Sequence, residues 1–224
     1  MGLPMGREEF QEIEAYVRRI MTGDAAHDLE HVYRVLGNAL RIARTEPECD
    51  LRLLTAACML HDVGRPAQNQ NPALCHARVG AQMAREYLLQ SGWREEDAQR
   101  VAQAIERHRF RGENPPQSLE DKILFDADKL DVCGALGVAR TLMYQGHHRL
   151  PLYTMQEGHI CQTDGASFLS EYNRKLKRLY DGFQTREGAR LAGARRKAAE
   201  QYVQALIEEI EFGRAGFAEQ NWQK

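Results

Sequence analysis

Burying an ionisable side chain costs several kcal/mol unless a partner or a metal compensates it, so acids and histidines set among apolar residues call for a chemical reason. Four places in the chain do this. The run HDLEHVYRV puts His27 and His31 four residues apart, able to share a helical face, with Asp28 beside them. MLHDVGR sets His61 and Asp62 side by side at the end of the most apolar segment. Neighbouring helical side chains diverge by about 100°, so both reach one ion only where it lies near a helix terminus. LFDADKLDVCGALG interrupts an apolar run with Asp126, Asp128 and Asp131, and His76 and His108 stand singly in CHARVGA and ERHRFRG. Imidazole with carboxylate and without thiolate is the ligand set of Mn, Fe, Co, Ni or Mg ions rather than of structural zinc.

These residues need helices to position them. Residues 8–21 repeat apolar positions every three to four residues, and so do 32–42 and 51–61, the last closed by Gly64 and Pro66. The 51–61 segment is apolar nearly all round and therefore buried. Further helices are predicted over 73–90, 95–108, 118–132, 135–144 and 167–183, with a last charged one over 186–212. Strand signals are almost absent. Breakers gather at 69–72, at 112–116 and along the irregular stretch 146–165, which is long enough to serve as a lid. The reading is one all-α domain over 1–224 with the metal-binding core at 26–137 and a C-terminal helical extension at 166–214. The final helix packs as an appendage.

Composition narrows the classes. Of 224 residues 43% are apolar and 28% charged, as in a folded globular chain. Thirty basic against thirty-two acidic residues leave a net charge of −2, so there is no global basic field to draw the chain to nucleic acid or anionic membranes. No apolar stretch approaches the ~20 residues that span a bilayer. The N-terminus lacks a secretory pattern, and five cysteines without a CxxC pair fit a cytoplasmic protein with reduced thiols.

The order His31, then His61-Asp62, then Asp128 in DADKLD resembles the HD-domain superfamily of metal-dependent phosphohydrolases, over roughly 26–137. HDLEHVYRV, MLHDVGR, HARVGA, HRFRG and ILFDADKLDVCGALGVAR, in that order, are similar to a bacterial and archaeal subgroup related to nucleotide pyrophosphohydrolases. The resemblance implies an HD-domain helical bundle holding one divalent ion through His31, His61, Asp62 and Asp128. It selects His31 because the family ligand stands three residues before Arg-Val, here Arg34-Val35, and it selects Asp128 because the motif reads Ala-Asp-basic-Leu. Geometry agrees in part: Asp126 and Asp128 project about 200° apart on a helix and cannot both face one ion. His27 becomes a proton-transfer candidate, and Asp131 a second catalytic candidate.

Phosphates need cations, and near the motifs stand Arg65, Arg78, Arg109, Arg111 and Lys129, of which Arg65, Arg109 and Lys129 are the favoured phosphate contacts. The residues after His61-Asp62 include no acid, so no general base is assigned, and Asp28 and Glu30 join His27 and Asp131 as candidates. The implied activity is hydrolysis of a phosphomonoester or pyrophosphate bond in a small phosphorylated substrate, a nucleotide first, with Mn, Mg, Co or Ni as cofactor. A second reading adds His76 and His108 as ligands of a second metal or as substrate contacts. That larger set is similar to HD-domain di-iron oxygenases, with iron as cofactor, and to two-metal phosphodiesterases. A third reading is a non-catalytic nucleotide-sensing module. Nucleic acid as substrate rests only on the short basic run 107–111.

Overall fold

The computed structural model describes residues 5–21, 29–109 and 114–219. The chain is all-α apart from one small hairpin. Its elements are α1 (Arg7–Ile20), α2 (Leu29–Ala43), α3 (Leu51–Leu60), α4 (Arg65–Gln70), α5 (His76–Gln90), α6 (Glu95–Arg107), α7 (Leu119–Leu130), α8 (Gly134–His147), strands β1 (Met155–Gln156) and β2 (His159–Ile160), α9 (Phe168–Arg174), a 3-10 turn (Leu176–Asp181) and α10 (Arg186–Glu219). No helix among the described residues is long and apolar enough to cross a membrane.

Contacts divide the chain into two compact units, 1–131 with 183–190, and 132–182 with 191–224. In the first, α3 is the centre. Residues 53–60 of this helix are buried without exception, and α1, α2, α6 and α7 pack round it. Each large side chain so buried contributes about 1.5–3 kcal/mol. Asp50 caps α3 by accepting the N–H groups of Arg52 and Leu53, and Ser118 opens α7 in a capping box with Asp121. Asp121 also pairs with Arg107 at 2.8 Å, which ties the end of α6 to the start of α7.

Two departures from the sequence expectation bear on the site. Gly64 and Pro66 end α3 as expected, but Pro66 also sits in the first turn of α4, where its missing N–H costs nothing. The expected helix over 73–90 accordingly begins only at His76. The second is a close approach: a Cβ on Gly64 would lie 2.2 Å from the His76 carbonyl oxygen and 2.6 Å from the Gly80 nitrogen. Only glycine lets the turn after α3 rest on the backbone of α5.

The second unit gathers Val138, Phe168, Leu169, Tyr172, Leu176, Ala199 and Val203 from α8, α9, the 3-10 turn and α10. Within the stretch expected to be irregular, β1 and β2 pair antiparallel around Glu157 and Gly158, with φ of 50° and 83°. Two successive positive φ angles suit a tight hairpin turn. The expected single helix over 167–183 is instead α9 followed by the 3-10 turn, and the last helix runs on to Glu219.

Candidate metal centre

All six expected histidine and aspartate ligands lie in the first unit, and each comes from the end of an element or from a helix face. His31 is on α2, His61 caps the C-terminus of α3, and Asp62 follows in the turn; His76 opens α5, His108 caps α6, and Asp128 is on α7. His31, His61, Asp62, His76 and His108 are buried, and Asp128 is partly exposed.

The imidazoles are set in one sense. His31 directs Nδ1 to Asp131 Oδ2 at 2.8 Å, His61 to the Cys58 carbonyl at 2.7 Å, His76 to Gln68 Oε1 at 2.9 Å and His108 to the Ile105 carbonyl at 2.5 Å. Three of these acceptors are carbonyls and the fourth a carboxylate, so Nδ1 carries the proton and Nε2 is turned inward as a donor atom. His31 Nε2 and His61 Nε2 lie 3.3 Å apart, as do His76 Nε2 and His108 Nε2. Two nitrogens bound at right angles to one ion at about 2.1 Å would be roughly 3 Å apart.

Two groups of donors result, His31 with His61 and Asp128, and Asp62 with His76 and His108, each with its ligand atoms within 4.8 Å of one another. Asp62, a member of the second group, also approaches the histidines of the first. Its Oδ2 lies 3.5 Å from His31 Nε2 and 3.6 Å from His61 Nε2, while Oδ1 lies 3.6 Å from His76 Nε2 and 3.8 Å from His108 Nε2. Oδ1 accepts from Arg65 Nε at 2.9 Å, but Oδ2 is buried with no hydrogen-bond partner among the described residues. A buried carboxylate oxygen without a donor is costly, and a cation satisfies it. The residues therefore fit a divalent ion.

The electrostatics agree. Burial would raise the Asp62 carboxyl, but His61, His31 and Arg65 outweigh it and hold it well below the usual range. Asp128 is lowered in the same way by the three nearby imidazoles against the effect of burial. Burial drives His61 down to about 4, and burial with the Arg65 charge drives His76 down further, so both stay neutral donors. His31 differs. Burial pushes it down, but Asp131, Asp62 and Asp128 overcome burial and raise it to about 9.

Of the other candidates, Asp131 is fully buried, with Arg34 Nε on Oδ1 at 2.8 Å and Arg34 Nη2 on Oδ2 at 3.1 Å. Arg65 is paired with Asp62, Arg109 lies 3.6 Å from the Cys75 sulfur, and the Lys129 ammonium sits 4.4 Å over the Phe125 ring. Arg78 is exposed and faces Glu106 at 3.8 Å. His27, Asp28 and Arg111 lie outside the described residues. Asp126 is elsewhere: it accepts the N–H groups of Gln184 and Thr185 and the Thr185 hydroxyl. Sequence reasoning missed Arg34 and Gln68. Arg34 stands one helical turn from His31, a spacing that puts the two on one face. Gln68 gave no signal.

The HD domain family matches residues 28–133, which contain all six of these ligand candidates. The Bacillus subtilis protein YpgQ is 31% identical over 208 residues, covering 91% of this chain and 94% of YpgQ. Its crystal structure in complex with ADP superposes with a TM-score of 0.71 at 28% identity, over 90% of this chain and 97% of that one. An HD-superfamily hydrolase from Bacillus thuringiensis superposes with a TM-score of 0.72 at 27% identity, over 92% of this chain and 98% of that one. With paired imidazoles and an interposed carboxylate in a matching helical frame, the chain belongs to the HD-domain superfamily.

Proposed function

We propose that the chain is a divalent-metal-dependent phosphohydrolase acting on a nucleotide or a related small phosphorylated metabolite. The observation that carries this reading is the buried Asp62 Oδ2, without a hydrogen-bond donor and faced by the inward nitrogens of His31 and His61. His31, His61, Asp62 and Asp128 would hold the ion. A divalent cation at such a place lowers the pKa of water and neutralises charge on phosphoryl oxygens. Asp131, with Arg34, holds the His31 ring in the tautomer that offers Nε2. Arg65, held by Asp62 at 2.9 Å, and Arg109 and Lys129, next in sequence to His108 and Asp128 respectively, would bind phosphate oxygens. A nucleotide is named first because the relative YpgQ has been crystallised with ADP.

A second reading is favoured by the second donor group. Asp62, His76 and His108 would hold a further ion, with Asp62 shared between the two. Two ions suit a two-metal hydrolysis, or, if both are iron, oxygenation of a small organic substrate. Metal analysis of protein purified without chelator or nickel resin, beside Asp62→Ala, tests both readings when coupled to a screen for phosphate and pyrophosphate release from nucleotides. Loss of Mn-like metal together with release activity in the variant supports hydrolysis. Two irons with redox spectra and no release from any phosphorylated compound would replace it with oxygenation.

A further inference from the structure

Helix α10 buries one face and leaves a second, patterned face in water. Ala199 and Val203 enter the core of the second unit with Phe168 and Leu169. Roughly opposite, at about 100° per residue, runs a line of Leu191, Ala194, Ala198, Ala205 and Phe212 with Tyr202 at its edge. Their spacings of three, four and seven residues are those of one helix seam. Phe212 is 84% and Tyr202 43% exposed, Ala194, Ala198 and Ala205 are exposed, and Leu191 is half-buried. The line thus leaves two aromatic side chains and a row of alanines in water on one face of the helix.

Charge supplies the second observation. Residues 186–197 carry five basic groups and one acid, whereas 200–219 carry five acids and one base. This order opposes the helix macrodipole, which favours acids at the start and bases at the end. A second helix laid antiparallel meets every part of the pattern, because it brings the acidic half of one against the basic half of the other. A parallel partner would set like charges together.

We propose that this face of α10 docks the same face of a second copy of this chain in antiparallel register, centred between Gln201 and Tyr202. In that register Leu191 meets Phe212 of the partner subunit at each end, and Ala198 meets Ala205 of the partner subunit near the middle. Small residues at the centre let the backbones approach, while the large ones fill the ends. On one flank Lys197 faces Glu208 of the partner subunit, and on the other Arg195 faces Glu209 of the partner subunit. The contact is isologous, so each pair occurs twice.

Sedimentation velocity and light scattering of the full chain, from low micromolar to several hundred micromolar, test this. The expected result is a concentration-dependent dimer. Phe212→Glu, Lys197→Glu and Glu208→Lys should each weaken it by about tenfold or more, and combining Lys197→Glu with Glu208→Lys in one chain should restore it. All three positions are exposed; circular dichroism and unchanged metal content verify folding. A monomer at every concentration, a dimer indifferent to Phe212→Glu, or a double reversal that fails to recover would each overturn the proposal.

Discussion

Asp131 is a carboxylate with both oxygens engaged: Arg34 holds Oδ1 through Nε, and Oδ2 is shared between Arg34 and His31 Nδ1. Both oxygens being so engaged, the group suits orienting His31 better than taking a proton from water, and beside the sequence expectation of a catalytic Asp131 we propose a positioning role for Asp131 and Arg34 together. Asp131→Asn keeps the shape and removes the charge. The expected outcome is a 10–100-fold weaker metal affinity with helix content unchanged, read by competition against a fluorescent chelator. Unaltered affinity would reduce the pair to packing. His31 also gives the metal-free protein a pH dependence. Its folded pKa of about 9 lies above the ordinary histidine value of 6.5, so the stabilisation is full below about pH 6.5 and is lost as pH rises through 9. Denaturant titrations of chelated protein should show a decline across that window of at most about 3 kcal/mol, and Asp131→Asn should flatten it.

Among the elements, α7 carries two aspartates in its second half, Asp126 and Asp128, with unrelated duties. Asp128 faces the histidines, while Asp126 is fully buried and receives three hydrogen bonds from Gln184 and Thr185 just before α10. Burial raises the Asp126 carboxyl against the opposing effect of these bonds. Gly188 closes the same contact, since a Cβ there would lie 2.4 Å from Asp126 Oδ2. Asp126→Ala leaves two N–H groups and a hydroxyl without their acceptor and should cost about 1–3 kcal/mol in urea unfolding while leaving metal content intact; equal loss of metal would contradict the division of duties. Gly64→Ala has the converse signature. By lifting α5 away from the turn it should deplete metal held by His76 and His108 more than metal held by His31 and His61, as stoichiometric titration would show. The sequence singled out His31, His61, Asp62, His76, His108 and Asp128 as candidates, because polar residues in apolar helices stand out, and the structure gathers them into two neighbouring groups. It also separated Asp126 from Asp128, by their angle. It could not supply the purpose of Asp126, whose partners lie 58 and 59 residues away, nor α4, the six residues Arg-Pro-Ala-Gln-Asn-Gln, which carry no apolar rhythm. The β1–β2 hairpin was hidden for the same reason: strands of two residues have no alternation to read.

At the scale of the whole molecule, the buried, donor-poor Asp62 would make metal loading part of folding. Ligands that bind only the folded state stabilise it by mass action, about 2.7 kcal/mol at a hundredfold excess over Kd, so chelation should lower the thermal midpoint and Mn addition restore it, as calorimetry would register. Asp62→Ala should abolish that response. Asp126 and Asp128 of α7 bear on the same point in another way. Held by Asp126 on one side and presenting Asp128 on the other, this helix behaves like an axle clamped on its rim. Side-chain atoms sit about 5–6 Å from a helix axis, so a twist of about 10° would carry the Asp128 carboxylate about 1 Å. An error of that size in a reacting centre can cost about a hundredfold in rate. On the proposed function, the threonine knot at the foot of α10 would thus set the angular tolerance of the metal centre, and loosening it should show first as lost precision in turnover, before any loss of bound ion.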